Sequence, residues 1–278
     1  MADVKMAKFK KTILYLTLSL IAFIMSFPMI WMVYSSLKTN GEIFETPWAL
    51  PAQFRWEHFI QAWNDGQLGT YIWNSLFIAT ISVSGILLFA SLAAYAFSRL
   101  QFKGRDSIFY LFLIGLIIPI QAFLLPLFIF LRDLHLINTR LGLILPYIAW
   151  GLPMAIYLLR AYLLTIPRDL EDSAKIDGCS HFGIYYRIIL PIIKPSLATV
   201  AIIAALDVWN EFLMALIFIY DNELKTLPIG LIAFYGQHAI DYKLLFSALS
   251  MITIPMIVIY FVFQKHIIEG LTVGAVKE

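Results

Sequence analysis

Two carboxylates, Asp207 and Glu211, stand four positions apart in an otherwise apolar stretch, with Trp209 and Asn210 between them. On a helix, residues at this spacing share one face. Lipid charges about 2.5–3.5 kcal/mol for a centrally placed Asp, so such a face must line a hydrated path or meet other polar groups. Sugar hydroxyls are good partners for carboxylates and amides. A structural hydrogen bond to a neighbouring helix is the other use of the same groups, and Glu211 suits it. Trp209 carries a ring able to stack on a sugar, yet it points about 100° away from Asn210 at 3.6 residues per turn.

Other chemistries are excluded by what is missing. No Gly-rich loop ends in Lys followed by Ser or Thr, so the chain has no phosphate cradle of its own. It also lacks a His-Glu-x-x-His helix and a Gly-x-Ser-x-Gly elbow. The five histidines (His58, His135, His181, His238 and His266) are scattered and are expected at surfaces or interfaces. Cys179 is the single cysteine, which rules out an intramolecular disulfide and a Cys-rich metal site. Asp207 and Asp241 are a conceivable aspartate pair for intramembrane hydrolysis, but Lys243 beside Asp241 at a membrane edge argues against catalysis. No catalytic residue, no metal and no cofactor bound by this chain are expected.

The elements that carry these residues are set by lipid. Apolar residues make up 61% of the 278 positions and charged residues 14%, against roughly 45–50% and about 25% in soluble domains. The runs Thr12–Leu37, Gly66–Ser98, Ser107–Leu131, Leu141–Leu159 and Leu244–Gln264 contain no Asp, Glu, Lys or Arg. Each reaches the ~17–25 residues that cross a hydrocarbon core. Pro195–Tyr220 makes a sixth, interrupted by Asp207 and Glu211. The first run is too long for the core of a cleavable signal and is expected to stay as a transmembrane helix. The expectation is an all-α membrane protein of six transmembrane helices.

Positive charge orients it. With the N-terminus inside, 14 of the 20 lysines and arginines fall in cytoplasmic segments, and the other side mixes its six with acidic residues. Both termini are therefore expected in the cytoplasm. An outer segment, residues 38–70, carries Trp48, Trp56 and Trp63 with Pro47 and Pro51. It reads as an aromatic belt on the headgroups or as a docking surface for an external partner. An inner segment, residues 160–194, reads as two short helices at an angle, the first stopped at Gly178 and the second running up to Pro191.

Within that inner segment the spacing becomes specific: Asp172-Ser173-Ala174, three residues, Gly178, nine residues, then Ile188-Ile189-Leu190-Pro191. This resembles the EAA loop of bacterial ABC importer permeases, with Asp172 in place of the usual Glu and Ser173 in place of the first Ala. Asn74-Ser75-Leu76, the run Ala93-Ala94-Tyr95-Ala96-Phe97-Ser98-Arg99 and Trp209-Asn210-Glu211-Phe212 extend the likeness to the carbohydrate-uptake branch. The tail from Glu269 to Lys277 looks like the ending of the shorter, maltose-type permease subunit.

The resemblance implies a type I ABC importer permease fold and a permease subunit of an ATP-driven, binding-protein-dependent sugar importer. It implies as partners a second homologous permease, two cytoplasmic ATPase subunits that hold ATP and Mg, an extracytoplasmic sugar-binding protein and membrane lipid, with no nucleic acid. Glu171, Asp172, Ser173, Ala174, Gly178, Cys179, Arg187, Leu190 and Pro191 would couple to the ATPase, the acidic pair and Lys175 with Arg187 meeting opposite charges there. Asp207, Trp209, Asn210 and Glu211 would line the substrate path, and Gly270, Thr272, Gly274 and Lys277 in the tail would reach the ATPases. The chain then divides into an N-terminal helix with its outer loop (1–70), a core permease domain (71–265) containing the coupling loop (about 161–194), and a tail (266–278). A proton-coupled secondary transporter and an intramembrane hydrolase are the alternatives from other classes.

Because Cys179 is the only thiol, it tests orientation without an engineered background. A membrane-impermeant maleimide is expected to miss it in intact right-side-out cells and to reach it in inverted vesicles free of ATPase, with a denatured sample as control. Rapid labelling from outside intact cells overturns the orientation.

Overall fold

The computed structural model describes residues 2–234, 240–254 and 257, the side chains of residues 2–8 excepted. Every regular element among them is helical. The chain forms two compact units.

The first unit comprises residues 2–68 with the described residues from 231 onward. Helix α1 (Ala2–Ser35) is followed by α2 (Asn40–Glu45) and α3 (Glu57–Asp65), and the apolar helix Tyr242–Ile254 belongs here too. Much of α1 is exposed, Phe23 and Met25 among its residues, as a helix surrounded by acyl chains must be. Thr39 starts α2 with a capping box: its hydroxyl accepts from the Glu42 amide at 3.2 Å, and Glu42 accepts from the Thr39 amide at 2.8 Å. Those bonds hold the Glu42 carboxyl below its usual range.

Lys38 is fully buried, its ammonium donating to the carbonyls of Thr46 (2.9 Å) and Pro47 (3.1 Å). Burial draws this amine below its ordinary pKa, with the Glu42 charge opposing. His58 is not at a surface as the sequence suggested. It is buried, with Nδ1 donating to the Ser36 carbonyl at 3.0 Å. Trp48, Trp56 and Trp63 are exposed.

The second unit, Gly69–Gly230, contains the sites. Its helices are α4 (Leu68–Arg99), α5 (Arg105–Ile114), α6 (Leu124–Asp133), α7 (Leu141–Thr165) and α8 (Asp169–Ile176). After them come α9 (His181–Ile184), a π-helical turn (Tyr185–Ile189) and α10 (Leu190–Ile192), then α11 (Lys194–Asn210), α12 (Leu213–Phe218) and α13 (Leu227–Gly230).

Among the described residues, three helices are long and apolar enough to cross a bilayer: Phe9–Ser35, Leu68–Arg99 and Leu141–Thr165. The segments His181–Ile192 and Lys194–Asn210 form a fourth only as a pair bent by 74°. The run Ser107–Leu131 is not one helix. It breaks between α5 and α6 because Pro119 cannot donate a helical bond and disfavours helical geometry at Ile118, leaving a 3-10 turn over Ile120–Ala122. The sixth run also breaks, after Asn210, and the run from Leu244 leaves the described residues beyond Ile254.

Helices α4 and α7 approach closely by reciprocal insertion. A Cβ on Gly85 of α4 would strike the Ile148 side chain, and one on Gly151 of α7 would strike Ile86. Small residues let helix backbones meet in lipid, where dispersion contacts rather than water expulsion hold helices together. Below this seam a buried cluster joins α4, α7, α8 and α11 through Ala94, Leu159, Ala174, Ile189 and Val200. Gly85→Val is expected to cost about 1–3 kcal/mol by overpacking, read as a lower melting temperature of the purified chain in detergent. Gly41→Ala, where the added carbon meets only Thr39 Oγ1 at 3.9 Å, should leave melting unchanged.

Candidate functional site

The inner segment folds as an elbow. Helix α8 opens with Asp169, Glu171 and Asp172 in its first turn, where carboxylates favour the exposed amides. It closes with Gly178 at φ +80°, a left-handed conformation that glycine adopts without penalty. The Cys179 amide donates to the Ala174 carbonyl (2.9 Å) and the Gly178 amide to Lys175 (3.0 Å), the bond pair of a Schellman stop. Ser180 then starts α9, its hydroxyl accepting from the Gly183 amide at 3.2 Å. Stop and start lie within three residues, so the turn has little freedom.

The elbow has two faces. Outward, Asp172, Ile176, Phe182, Tyr186 and Arg187 are exposed, Ile176 at 87% and Phe182 at 70%. Asp172 pairs with Lys175 at 2.8 Å, and that hydrogen bond holds its carboxyl below the ordinary range. Ser173 is exposed and donates to the Asp169 carbonyl at 2.9 Å. Pro191 is exposed, Leu190 is half-buried, and Cys179 is half-buried against the apolar cluster that also holds Ala174.

Glu171 is corrected by the structure. The sequence reading offered it to a basic residue of another protein, but it is 4% exposed and pairs with Arg99 of α4, Nε to Oε1 at 2.7 Å. Arg99 Nη2 also donates to the carbonyls of Leu163 (2.9 Å) and Ile166 (2.8 Å) at the end of α7. One guanidinium thus joins α4, α7 and α8. Removing one partner of a buried pair costs about 3–5 kcal/mol, because the other charge is left unpaired. Sequence inspection placed Arg99 in a motif but had no signal for its partner 72 residues on.

The second site is a cavity of about 530 Å³, within the ~300–1,000 Å³ of small-molecule sites. Its walls come from α4, α7, α11, the start of α12 and the break after α5. Asp207, Asn210 and Glu211 line it, and so do Tyr147 and Trp150 of α7, which the sequence did not single out. Trp209 is half-buried and lies off the cavity wall.

The shared helical face of Asp207 and Glu211 does not form, because α11 ends at Asn210 and Glu211 turns extended at φ −67°, ψ 128°. Glu211 accepts from the amides of Met214 (2.8 Å) and Ala215 (3.2 Å) and from the Tyr147 hydroxyl (2.7 Å). It caps α12 in the apolar interior, where unpaired amides are costly. Asp207 is exposed to the cavity and receives no hydrogen bond from any described residue, while the Asn210 amide donates back to Leu206 at 2.8 Å.

Asn74 and Ser75 hold a loop. Asn74 donates to the carbonyls of Glu223 (2.7 Å) and Lys225 (3.0 Å) and accepts from Arg140 (2.9 Å), and Ser75 accepts from the Leu227 amide (2.8 Å). No group of three or more metal-ligating side chains occurs among the described residues. The tail residues Gly270, Thr272, Gly274 and Lys277 lie outside the described residues, as do His238 and His266.

A family model described as binding-protein-dependent transport system inner membrane component matches residues 86–273, the stretch that holds both the elbow and the cavity. The chain belongs to this family. It is 38% identical to the probable ABC transporter permease protein YurM of Bacillus subtilis over 95% of this chain and 87% of that protein. It is 37% identical to the arabinooligosaccharides transport system permease protein AraQ of Halalkalibacterium halodurans over 92% and 93%. The fold matches a crystal structure of a bacterial ABC transporter involved in the import of the acidic polysaccharide alginate, with TM-score 0.81, 22% identity, and coverage of 93% of this chain and 96% of that one.

The chain is thus an inner membrane component whose relatives are transport permeases, not enzymes. Relatives that are transport permeases set aside the intramembrane hydrolase.

Glu211→Ala is expected to destabilise the chain by about 1–3 kcal/mol, since two amides and a hydroxyl lose their acceptor. Asp207→Ala should stay within about 0.5 kcal/mol. Thermal melting in detergent checks the contrast, and equal loss in both variants would show that Asp207 is structural as well.

Proposed function

We propose that this chain is one of two permease subunits of an ATP-driven, binding-protein-dependent importer of oligosaccharides, with its cavity forming half of the translocation path. The observation that carries the reading is the elbow. Its outer face presents an acidic group and large apolar side chains, while its inner face is tied to α4 and α7 by a buried ion pair. A surface so exposed and so firmly backed suits a partner that pushes on it.

In this reading the elbow and both termini face the cytoplasm, and a dimer of ATPase subunits holding ATP and Mg docks on Asp172, Ile176, Gly178, Phe182 and Arg187. The tail reaches the same ATPases. A homologous permease completes the path, and an external sugar-binding protein delivers substrate. Hydrolysis rocks the helix bundles between inward and outward openings. Asp207 and Asn210 offer polar contacts to passing hydroxyls, with Trp150 as an apolar surface. Support for a carbohydrate cargo comes from relatives such as the one named for arabinooligosaccharides.

The purified chain is expected to hydrolyse no ATP, and hydrolysis is expected when the ATPase is co-expressed and co-purifies with it. Hydrolysis by the chain alone, after contaminants are removed, overturns the reading.

A further inference from the structure

Arg99 ends α4 and ties it to α7 and α8, with both members of its ion pair only 4–5% exposed. The exchange is mutual. Arg160 Nε donates to the Phe97 carbonyl and Arg168 Nη2 to the Ser98 carbonyl, each at 3.4 Å. The last carbonyls of α4 are therefore met by arginines from α7 and from just before α8, as those of α7 are met by Arg99. The elbow's second arm reaches α4 as well. The Tyr185 and Ser91 hydroxyls are 2.7 Å apart and buried, and the rings of Tyr185 and Tyr95 lie 5.5 Å apart. Helix α4 continues to Ile86 on the cavity wall, about 20 Å along its axis at 1.5 Å per residue.

We propose that Arg99 is a positioning residue for ATP-driven transport: through Glu171 it fixes the elbow to α4 and α7, so that displacement of the elbow becomes displacement of the cavity walls. The proposal rests on the reading that the elbow docks the ATPase. Three features favour transmission over simple stabilisation. A guanidinium presents its donors in a rigid plane; here Nη2 donates to two carbonyls at the end of α7 while Nε lies 2.7 Å from the Glu171 carboxylate of α8. For stability alone, an apolar pair of similar volume does as well as a buried ion pair or better. The elbow's other ion pair, Asp172–Lys175, is exposed on both sides and lies within a single helix, so it can carry no load between helices. The buried clasp is thus the stiff connection between the docking surface and the helices that line the cavity.

The test uses the whole complex of the chain, its partner permease and its ATPase in lipid nanodiscs. The parent carries Cys179→Ser and Met154→Cys on the cavity wall, so the introduced thiol reports access to the cavity through its rate of labelling by N-ethylmaleimide. ATP with vanadate is expected to change that rate about tenfold in the parent, within the range of typical coupling between sites. In Glu171→Gln the change should fall below about twofold while the ATPase still co-purifies in parental amount.

Arg99→Met combined with Glu171→Met leaves no unpaired buried charge and serves where the single variant folds poorly. It is expected to lose the ATP response in the same way. A merely structural role would lower the yield of complex and leave the response of the surviving complexes at the parental value, so an equal response in parent and variants overturns this inference alone. A parent complex that fails to bind the ATPase overturns the docking reading and this inference with it.

Discussion

A backbone amide or carbonyl shut off from water, by lipid or by protein, must be hydrogen-bonded by the protein itself. That constraint governs how this chain uses its few polar residues. Arg99 covers the last carbonyls of α7, Arg160 and Arg168 reach those of α4, and Glu211 takes the first amides of α12. Asn74 fixes the carbonyls of Glu223 and Lys225, and Lys38 those of Thr46 and Pro47. Charged residues in such a chain are first of all caps, and only those left over are free for function.

The same accounting separates the polar residues that line the cavity. Glu211 is an acidic group in the path by sequence but a cap by geometry, its oxygens taken by two amides and the Tyr147 hydroxyl. Asp207, four residues earlier, faces the cavity without a bond from any described residue. A break in α11 parts them: the helix ends at Asn210, and the carboxylate just beyond it starts the next helix. In the elbow the division falls between adjacent residues. Glu171 points into the protein and Asp172 out of it, because neighbours on a helix are 100° apart.

Much of the architecture was legible in the residues. Long apolar runs foretold α1, α4 and α7, and the stretch around Gly178 foretold two short helices and a turn, since a glycine after an acidic-start helix is a local signal. The break at Pro119 was available from local rules as well. The end of α11 was not, because Asp207-Val208-Trp209-Asn210-Glu211 contains neither glycine nor proline, and only the capping demand of α12 explains it.

By itself the sequence determined that this is a helical membrane protein, one that carries no phosphate-loop motif and a single cysteine. It also determined where the elbow turns. These features follow from composition, run length and residues whose backbone preferences act locally. Only the tertiary structure decided that Glu171 belongs to Arg99, that Glu211 is a cap and that Tyr147 and Trp150 of α7 share a cavity with Asp207. Those pairings join residues tens of positions apart, and spacing along the chain carries no information about which side chains meet once helices pack.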